Sequence, residues 1–173
     1  MMEGIIPAII KRRSIRAYKD TPVEEEKVLR LLEAARLAPS AKNFQEWQFI
    51  VVRDRDTRKA LARAARNQMF VAEAPVVIVA CAVSPGYEMT CGHPAFLIDL
   101  AIAGEHICLQ AAEDGLGTCW IGAFYQDRVK KILGIPDDVS VVALIPVGYP
   151  DAPPREFSRK PLEEIVSYER WSF

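Results

Sequence analysis

Apolar residues return at three- and four-residue intervals at Val28, Leu31, Leu32 and Ala35, the spacing of one buried helix face. Ahead of them, Thr21-Pro22-Val23-Glu24 offers a hydroxyl cap, a proline at the first helical position and a glutamate three residues after the cap. That composition is a capping box, so a helix is predicted from Thr21 to the stop at Pro39. The period then changes. Trp47–Val52 is aromatic and β-branched, while Pro75–Val83 and Val141–Val147 are nearly continuous apolar runs; all three read as strands buried on both faces. Asp56 heads a helical stretch reaching about Arg66. A longer helix covers Ala95–Asp114, where Leu97, Leu100, Ala101, Ile107, Cys108 and Ala111 supply a broad apolar surface and Gly115 the stop, the signature of a central, mostly buried helix. Shorter elements are a strand at Thr118–Ile121, a helix at Asp127–Leu133 ended by Gly134 and Pro136, and a helix over Pro161–Val166.

Strands and helices mix without a glycine-rich turn following any strand, which favours an α+β layered fold over a doubly wound dinucleotide fold. The chain of 173 residues shows no repeat or long linker and is expected to form one domain over residues 1–173. Half of its residues are hydrophobic and 26% are charged, a balance that excludes a disordered tail or a collagen-like fibre. No apolar run reaches the ~20 residues of a membrane span. The 22 Lys and Arg against 23 Asp and Glu leave a net charge of -1, so no global field recruits nucleic acid or an acidic membrane, and any anion site must be local. The opening MMEGIIPAII precedes its basic residues, the reverse of a secretory signal, which makes cytoplasmic residence the expectation. Cys81, Cys91, Cys108 and Cys119 are too widely spaced for a CxxC pair and read as free thiols, with only Cys91-Gly92-His93-Pro94 in an evident loop.

Four stretches carry candidate chemistry. Lys11 to Lys19 holds Lys11, Arg12, Arg13, Arg16 and Lys19 with no acid among them; guanidinium forks and the Ser14 hydroxyl suit phosphate oxygens, although a solvated basic face has the same composition. A second basic cluster, Arg155-Glu156-Phe157-Ser158-Arg159-Lys160-Pro161, follows the last strand, and the two could converge on one phosphate. Leu37 to Trp47 joins helix to strand through Pro39, Ser40, Asn43 and Gln45, whose amides and hydroxyl match a heterocycle rich in carbonyls and ring nitrogens. Finally, Gly115-Leu116-Gly117-Thr118-Cys119-Trp120-Ile121-Gly122 follows a helix and opens none, so it is no Rossmann fingerprint; Gly122, after Trp120 and Ile121, marks main chain that approaches something flat. His106, beside Glu105 in the long helix, reads as a satisfied polar residue at a packing site, and neither Tyr125 nor His93 has a spacing that makes it a proton donor.

Taken in order, Arg12-Arg13-Ser14-Ile15-Arg16, Pro39-Ser40-Ala41-Lys42-Asn43-Phe44-Gln45-Glu46-Trp47, the Gly115–Gly122 stretch, and a VGYP segment leading to Arg159-Lys160-Pro161 resemble the FMN-dependent nitroreductase-like flavoproteins over nearly the whole chain. The resemblance implies a layered fold with a central, mostly antiparallel sheet flanked by helices, in an intertwined homodimer with two FMN molecules. It implies that Arg12, Arg13, Ser14, Arg159 and Lys160 hold the phosphate and ribityl chain, and that Arg16 sits at the pyrimidine edge of the flavin. Trp120, Ile121 and Gly122 would line the ring, with Pro39, Ser40, Asn43 and Gln45 reaching the flavin of the partner subunit. The implied reaction is a ping-pong transfer of hydride from NADH or NADPH through flavin N5 to a nitroaromatic, quinone or similar acceptor, with no catalytic side chain and no metal. Another reaction on the same scaffold, such as ene reduction, reductive dehalogenation or metabolite oxidation, and a non-catalytic flavin-binding module are the alternatives. Two departures stand out. Glu46 occupies a position where many members have proline, and Ser84–Pro94 is short where larger relatives carry helices over the substrate pocket.

Overall fold

The computed structural model describes residues 4–173; Met1 to Glu3, the start of the apolar opening stretch, lie outside them. Four strands, β1 (Trp47–Val52), β2 (Val76–Ala82), β3 (Gly117–Thr118) and β4 (Ser140–Gly148), hydrogen-bond in the order β1-β2-β4-β3 with every pairing antiparallel. Around them lie α1 (Pro7–Lys11), α2 (Glu25–Arg36), α3 (Arg55–Ala64), α4 (Phe70–Glu73), α5 (Ala95–Glu113) and α6 (Gln126–Leu133). The α+β layering is the predicted one.

Strand β2 shows how the layers form. Its side chains alternate between faces: Val76, Ile78, Ala80 and Ala82 pack with Val28, Leu31 and Ala35 of α2 and Leu100, Ala103 and Ile107 of α5. Val77, Val79 and Cys81 pack with Leu61, Ala62 and Ala64 of α3 and Val129 of α6. Both faces are covered, so β2 is apolar at every position. The same reading fails for β1: it pairs on one side only, most of it is half-buried, and Gln48 is exposed.

Three local predictions are corrected. The helix predicted from Thr21 begins at Glu25, with no side-chain cap. Residues before it stay extended and deliver Val23 to the core, while the Glu24 carboxylate accepts the Tyr149 hydroxyl at 2.7 Å, a tertiary partner in place of the helix's own amides. Helix α3 is capped by Asp54, which accepts from Thr57 N at 2.8 Å; Asp56 sits inside the first turn and pairs with Lys59 at 3.0 Å. Pro161–Val166 holds only a 3-10 turn at Leu162–Glu164, inside a C-terminal stretch where every residue from Asp151 to Phe173 except Ser167 is exposed. Helices α1 and α4, of five and four residues, are too short to leave a periodic signal.

Helix α5 is central, as predicted, but its apolar surface is split. Leu100, Ala103, Ile107, Cys108 and Ala111 are buried, whereas Leu97, Ile98 and Ala101 face outward. By length and composition alone α5 would also pass for a membrane span. Its packing on the sheet and α2 instead makes it a core helix.

Candidate functional site

The first basic cluster is fixed by the sheet. After α1, the chain runs extended beside β3: Ile15 N donates to Thr118 O at 2.8 Å, Lys19 N to Tyr149 O at 2.9 Å, and Asp151 N returns a bond to Ala17 O at 3.0 Å. Ile15 lies directly over Gly117, where a Cβ would stand 2.5 Å from the Ile15 side chain; only glycine lets this segment reach β3. The buried Tyr18 hydroxyl donates to Ile15 O at 2.7 Å, and burial holds that phenol protonated well above its ordinary range. With Ile15 and Tyr18 turned inward, Ser14 and Arg16 stand exposed.

The two basic clusters converge. Arg12, Arg13, Ser14 and Arg16 line a pocket of about 260 Å³ together with Pro154, Arg155, Glu156, Phe157 and Arg159. The Phe157 ring is clasped between the Arg13 guanidinium at 4.3 Å and that of Arg159 at 4.0 Å, which ties the C-terminal stretch to the N-terminal one. Arg16 lies 5.9 Å from the centre of the Phe70 ring. Arg12 is anchored on α5 by Glu105 at 3.3 Å. Among the described residues no carboxylate pairs with Arg13, Arg16, Arg155 or Arg159. So many forked donors beside one hydroxyl, with Glu156 the single acid in the lining, make a site for a polyoxygenated anion such as a phosphate. Lys160 lies next in sequence but is not among the lining residues.

Pro39, Ser40, Asn43 and Gln45 do not line that pocket. They belong to a strained loop of their own. Lys42, Asn43 and Gln45 take φ of 49°, 58° and 52°, left-handed values rare outside glycine. Both carboxylate oxygens of the buried Asp99 accept from Ala41 N at 3.1 Å, and the Ser40 hydroxyl accepts from Gln45 N at 3.1 Å. The loop is thereby fixed with Pro39, Asn43 and Gln45 exposed and Ser40 half-buried. Glu46, which ends it, is buried with an Oε1 that has no hydrogen-bond partner among the described residues. Desolvation, and then the nearby Asp99 charge, raise its pKa.

The Trp120–Gly122 stretch divides. Trp120 is partly exposed and lies against Gly104 of α5, where a Cβ would overlap the indole. Ile121 is buried, and both of its backbone groups bond Leu144 at 3.0 Å, so it holds register and has no polar group left for a ligand. Among the described residues nothing approaches the Cβ position of Gly122, so no contact among them explains its glycine. Beside it lies a feature that the sequence reading passed over. Arg66 and Asn67 both take left-handed φ, of 57° and 60°, and the next residue, Gln68, donates to Ala123 O at 3.3 Å. A polar corner after an alanine-rich helix end is its only sequence signal. Phe157 was likewise present in the second cluster without an assigned role.

The remaining candidates are packing residues. Burial pushes the thiols of Cys81 and Cys108 up to about 11 and raises that of Cys119, so these three are protonated core groups; Cys91 is exposed in the Ser84–Pro94 stretch. His106 Nδ1 donates to Ala34 O at 3.1 Å, the satisfied role predicted for it.

The chain is similar to known proteins of one family. The sequence profile of the nitroreductase family matches residues 9–83 and 66–149. A crystal structure of a nitroreductase family protein from Clostridium novyi NT superposes with a TM-score of 0.80 at 38% identity, covering 87% of each chain. An FMN-dependent nitroreductase from Clostridium difficile R20291 gives 0.79 at 33% identity, covering 96% of each. An NADH dehydrogenase from Thermus thermophilus is 34% identical over 95% of this chain and 98% of its own. Profile, sequence and fold agree over most of the chain, and the chain belongs to the nitroreductase family.

Proposed function

We propose that this protein is an NAD(P)H-dependent FMN oxidoreductase acting on small electron-poor acceptors, with each FMN bound between two copies of the chain. The observation that carries the proposal is the convergence of Arg12, Arg13, Ser14, Arg16 and Arg159 on one pocket, several of them without a carboxylate. The donor set fits a phosphate monoester. FMN, when bound, supplies the redox chemistry, taking a hydride from the nicotinamide and passing two electrons to a nitroaromatic or quinone. The protein's own residues bind and orient. Arg12, Arg13, Ser14 and Arg159 would hold the phosphate end, and Arg16 would place positive charge at the pyrimidine edge, where the reduced ring carries its negative charge. Trp120 and Gly122 face the ring, with Ile121 holding them in place.

The dimer half of the proposal rests on what one chain leaves uncovered. Ile6, Leu37, Leu97 and Ile98 are exposed, and so are Leu162, Ile165, Tyr168 and Trp171 of the C-terminal stretch, the last at 84%. An arm of this apolar character with no core of its own is accounted for by a second copy, against which it wraps. In that dimer Pro39, Ser40, Asn43 and Gln45 reach the partner's flavin, which explains their exposure and their separation from the chain's own pocket.

The test is the visible spectrum of the purified protein with added FMN. Bound flavin that bleaches on anaerobic addition of NADH or NADPH, and recovers on addition of a quinone or nitrofuran, is the expected result. A colourless protein after FMN addition overturns the proposal, and a yellow protein whose spectrum ignores both nucleotides reduces it to a flavin-binding module. Analytical ultracentrifugation should give a dimer; a monomer that retains FMN tightly removes the shared site.

A further inference from the structure

We infer that Lys42, Phe44 and Tyr87 form an acceptor-recognition patch that favours flat aromatic molecules carrying a carboxylate or sulfonate. The inference rests on the function proposed above and concerns the acceptor side of that site. Lys42 and Phe44 alternate with Ser40, Asn43 and Gln45 along the strained loop, while Tyr87 comes from the Ser84–Pro94 stretch, so two separate segments meet here. The Phe44 and Tyr87 rings pack edge to face with centroids 5.2 Å apart. The Lys42 ammonium stands 4.5 Å from the Tyr87 ring centre and 6.0 Å from that of Phe44.

Three physical points give this cluster a ligand. The aromatic pair is not buried: Phe44 is 49% exposed, an apolar ring held in the open beside residues assigned to the flavin. Such a surface is covered most favourably by another flat apolar body. Among the described residues no carboxylate neutralises Lys42, so a charge of opposite sign on that body finds a cation already positioned by the rings. And the platform is rigid. Asp99 grips Ala41 N, Ser40 Oγ accepts from Gln45 N, and Ala95 N donates to Tyr87 O at 3.0 Å, so both segments are tied at the start of α5. Little ordering remains for binding to impose, which is the condition for a patch to discriminate.

The experiment uses the full chain loaded with FMN and two acceptors, 1,4-naphthoquinone and its 2-sulfonate. The measured quantity is the ratio of kcat/KM for the sulfonate to that for the neutral quinone, compared between proteins so that intrinsic reactivity cancels. Lys42→Gln should lower this ratio about tenfold, Lys42→Arg should restore it, and raising salt should lower it in the unaltered protein and in Lys42→Arg but not in Lys42→Gln. A binding readout without turnover accompanies it. Calorimetry with naphthalene-2-carboxylate and its carboxamide should show the carboxylate's advantage disappearing in Lys42→Gln, and Phe44→Ala should weaken both ligands. Ratios that stay within about twofold of the unaltered protein's overturn the patch while leaving the flavin function standing. Failure of NADH and NADPH to reduce the bound flavin overturns the function, and the patch with it.

Discussion

The Arg12–Arg16 segment and the Pro39–Glu46 loop both connect a helix to the sheet, and they are held in opposite ways. The first is knitted in by main-chain bonds to Thr118 and Tyr149 and by Ile15 seated on Gly117, and its cations meet residues of their own chain around one pocket. The second is held by the Asp99 carboxylate and by a bond within the loop from Gln45 N to Ser40 Oγ, keeps three non-glycine residues in left-handed conformations, and turns most of its polar side chains to the outside. A segment whose bonds are satisfied internally can form a ligand site alone. A strained loop that presents its polar groups outward is, on the function proposed above, half of a site whose other half a second copy would supply.

The largest expected effect is on the knitted side. Arg12→Ala should weaken FMN binding by about 1.5–3 kcal/mol, the range of a charge-assisted hydrogen bond, and hence more than about tenfold in Kd. Titration of the apoprotein by flavin fluorescence quenching measures it, and an unchanged Kd removes Arg12 from the phosphate site. Next is the seat of the segment. Gly117→Ala puts a Cβ into Ile15 and should destabilise the fold by about 1–3 kcal/mol in denaturant unfolding. Ile15→Ala removes the γ carbons at 2.5 and 2.9 Å from that Cβ but leaves its own Cβ at 2.7 Å, so it relieves part of the overlap. The double variant should therefore be less damaged than the sum of the two by on the order of 1 kcal/mol, whereas strict additivity means the two residues do not share the contact.

On the strained side the effects are smaller and more local. Asp99→Asn weakens the hold on Ala41 N by about 1 kcal/mol, which should speed hydrogen exchange at that amide about fivefold. The amides of Ile15 and Lys19, bonded to main chain, should exchange at their original rates. Equal acceleration at all three would mean that the two regions open together, and the contrast between them would fail.

Much of this contrast was written in the sequence, unevenly. The bounds of β1 and the apolar runs of β2 and β4 follow from local composition, whereas the density of cations at both chain ends raised their convergence only as one possibility, which the fold had to decide. What was illegible depended on tertiary partners. Thr21 had the composition of a cap, but the core needed Val23 and Tyr149 took Glu24, so the helix began later. Asp54 and Asp56 are equivalent as caps by composition, and only the backbone path chose Asp54. Ile121 was expected to line the ring together with its neighbours; its bonds to Leu144 emerge only when β4 is laid beside it. The seat of Ile15 on Gly117 joins residues about a hundred positions apart, and no periodicity records it.

Glu46 was visible as an odd residue in the sequence, and the structure turns that oddity into a pH prediction. Its carboxyl is buried, has one oxygen without a partner and stands near Asp99, so its folded pKa lies above the ordinary glutamate range. When the unfolded chain ionises this group at a lower pH than the folded protein does, the unfolded state loses its proton first. Stability is therefore intact below the unfolded pKa and declines as pH rises from there toward the folded value. Glu46→Gln cannot ionise and escapes the decline. Thermal unfolding at a series of pH values should show little difference between the two proteins near pH 4, and an advantage for Glu46→Gln that grows as pH rises from there. A constant gap across all pH values would trace the effect to packing alone and remove the unpaired carboxyl as the weak point of the strained loop.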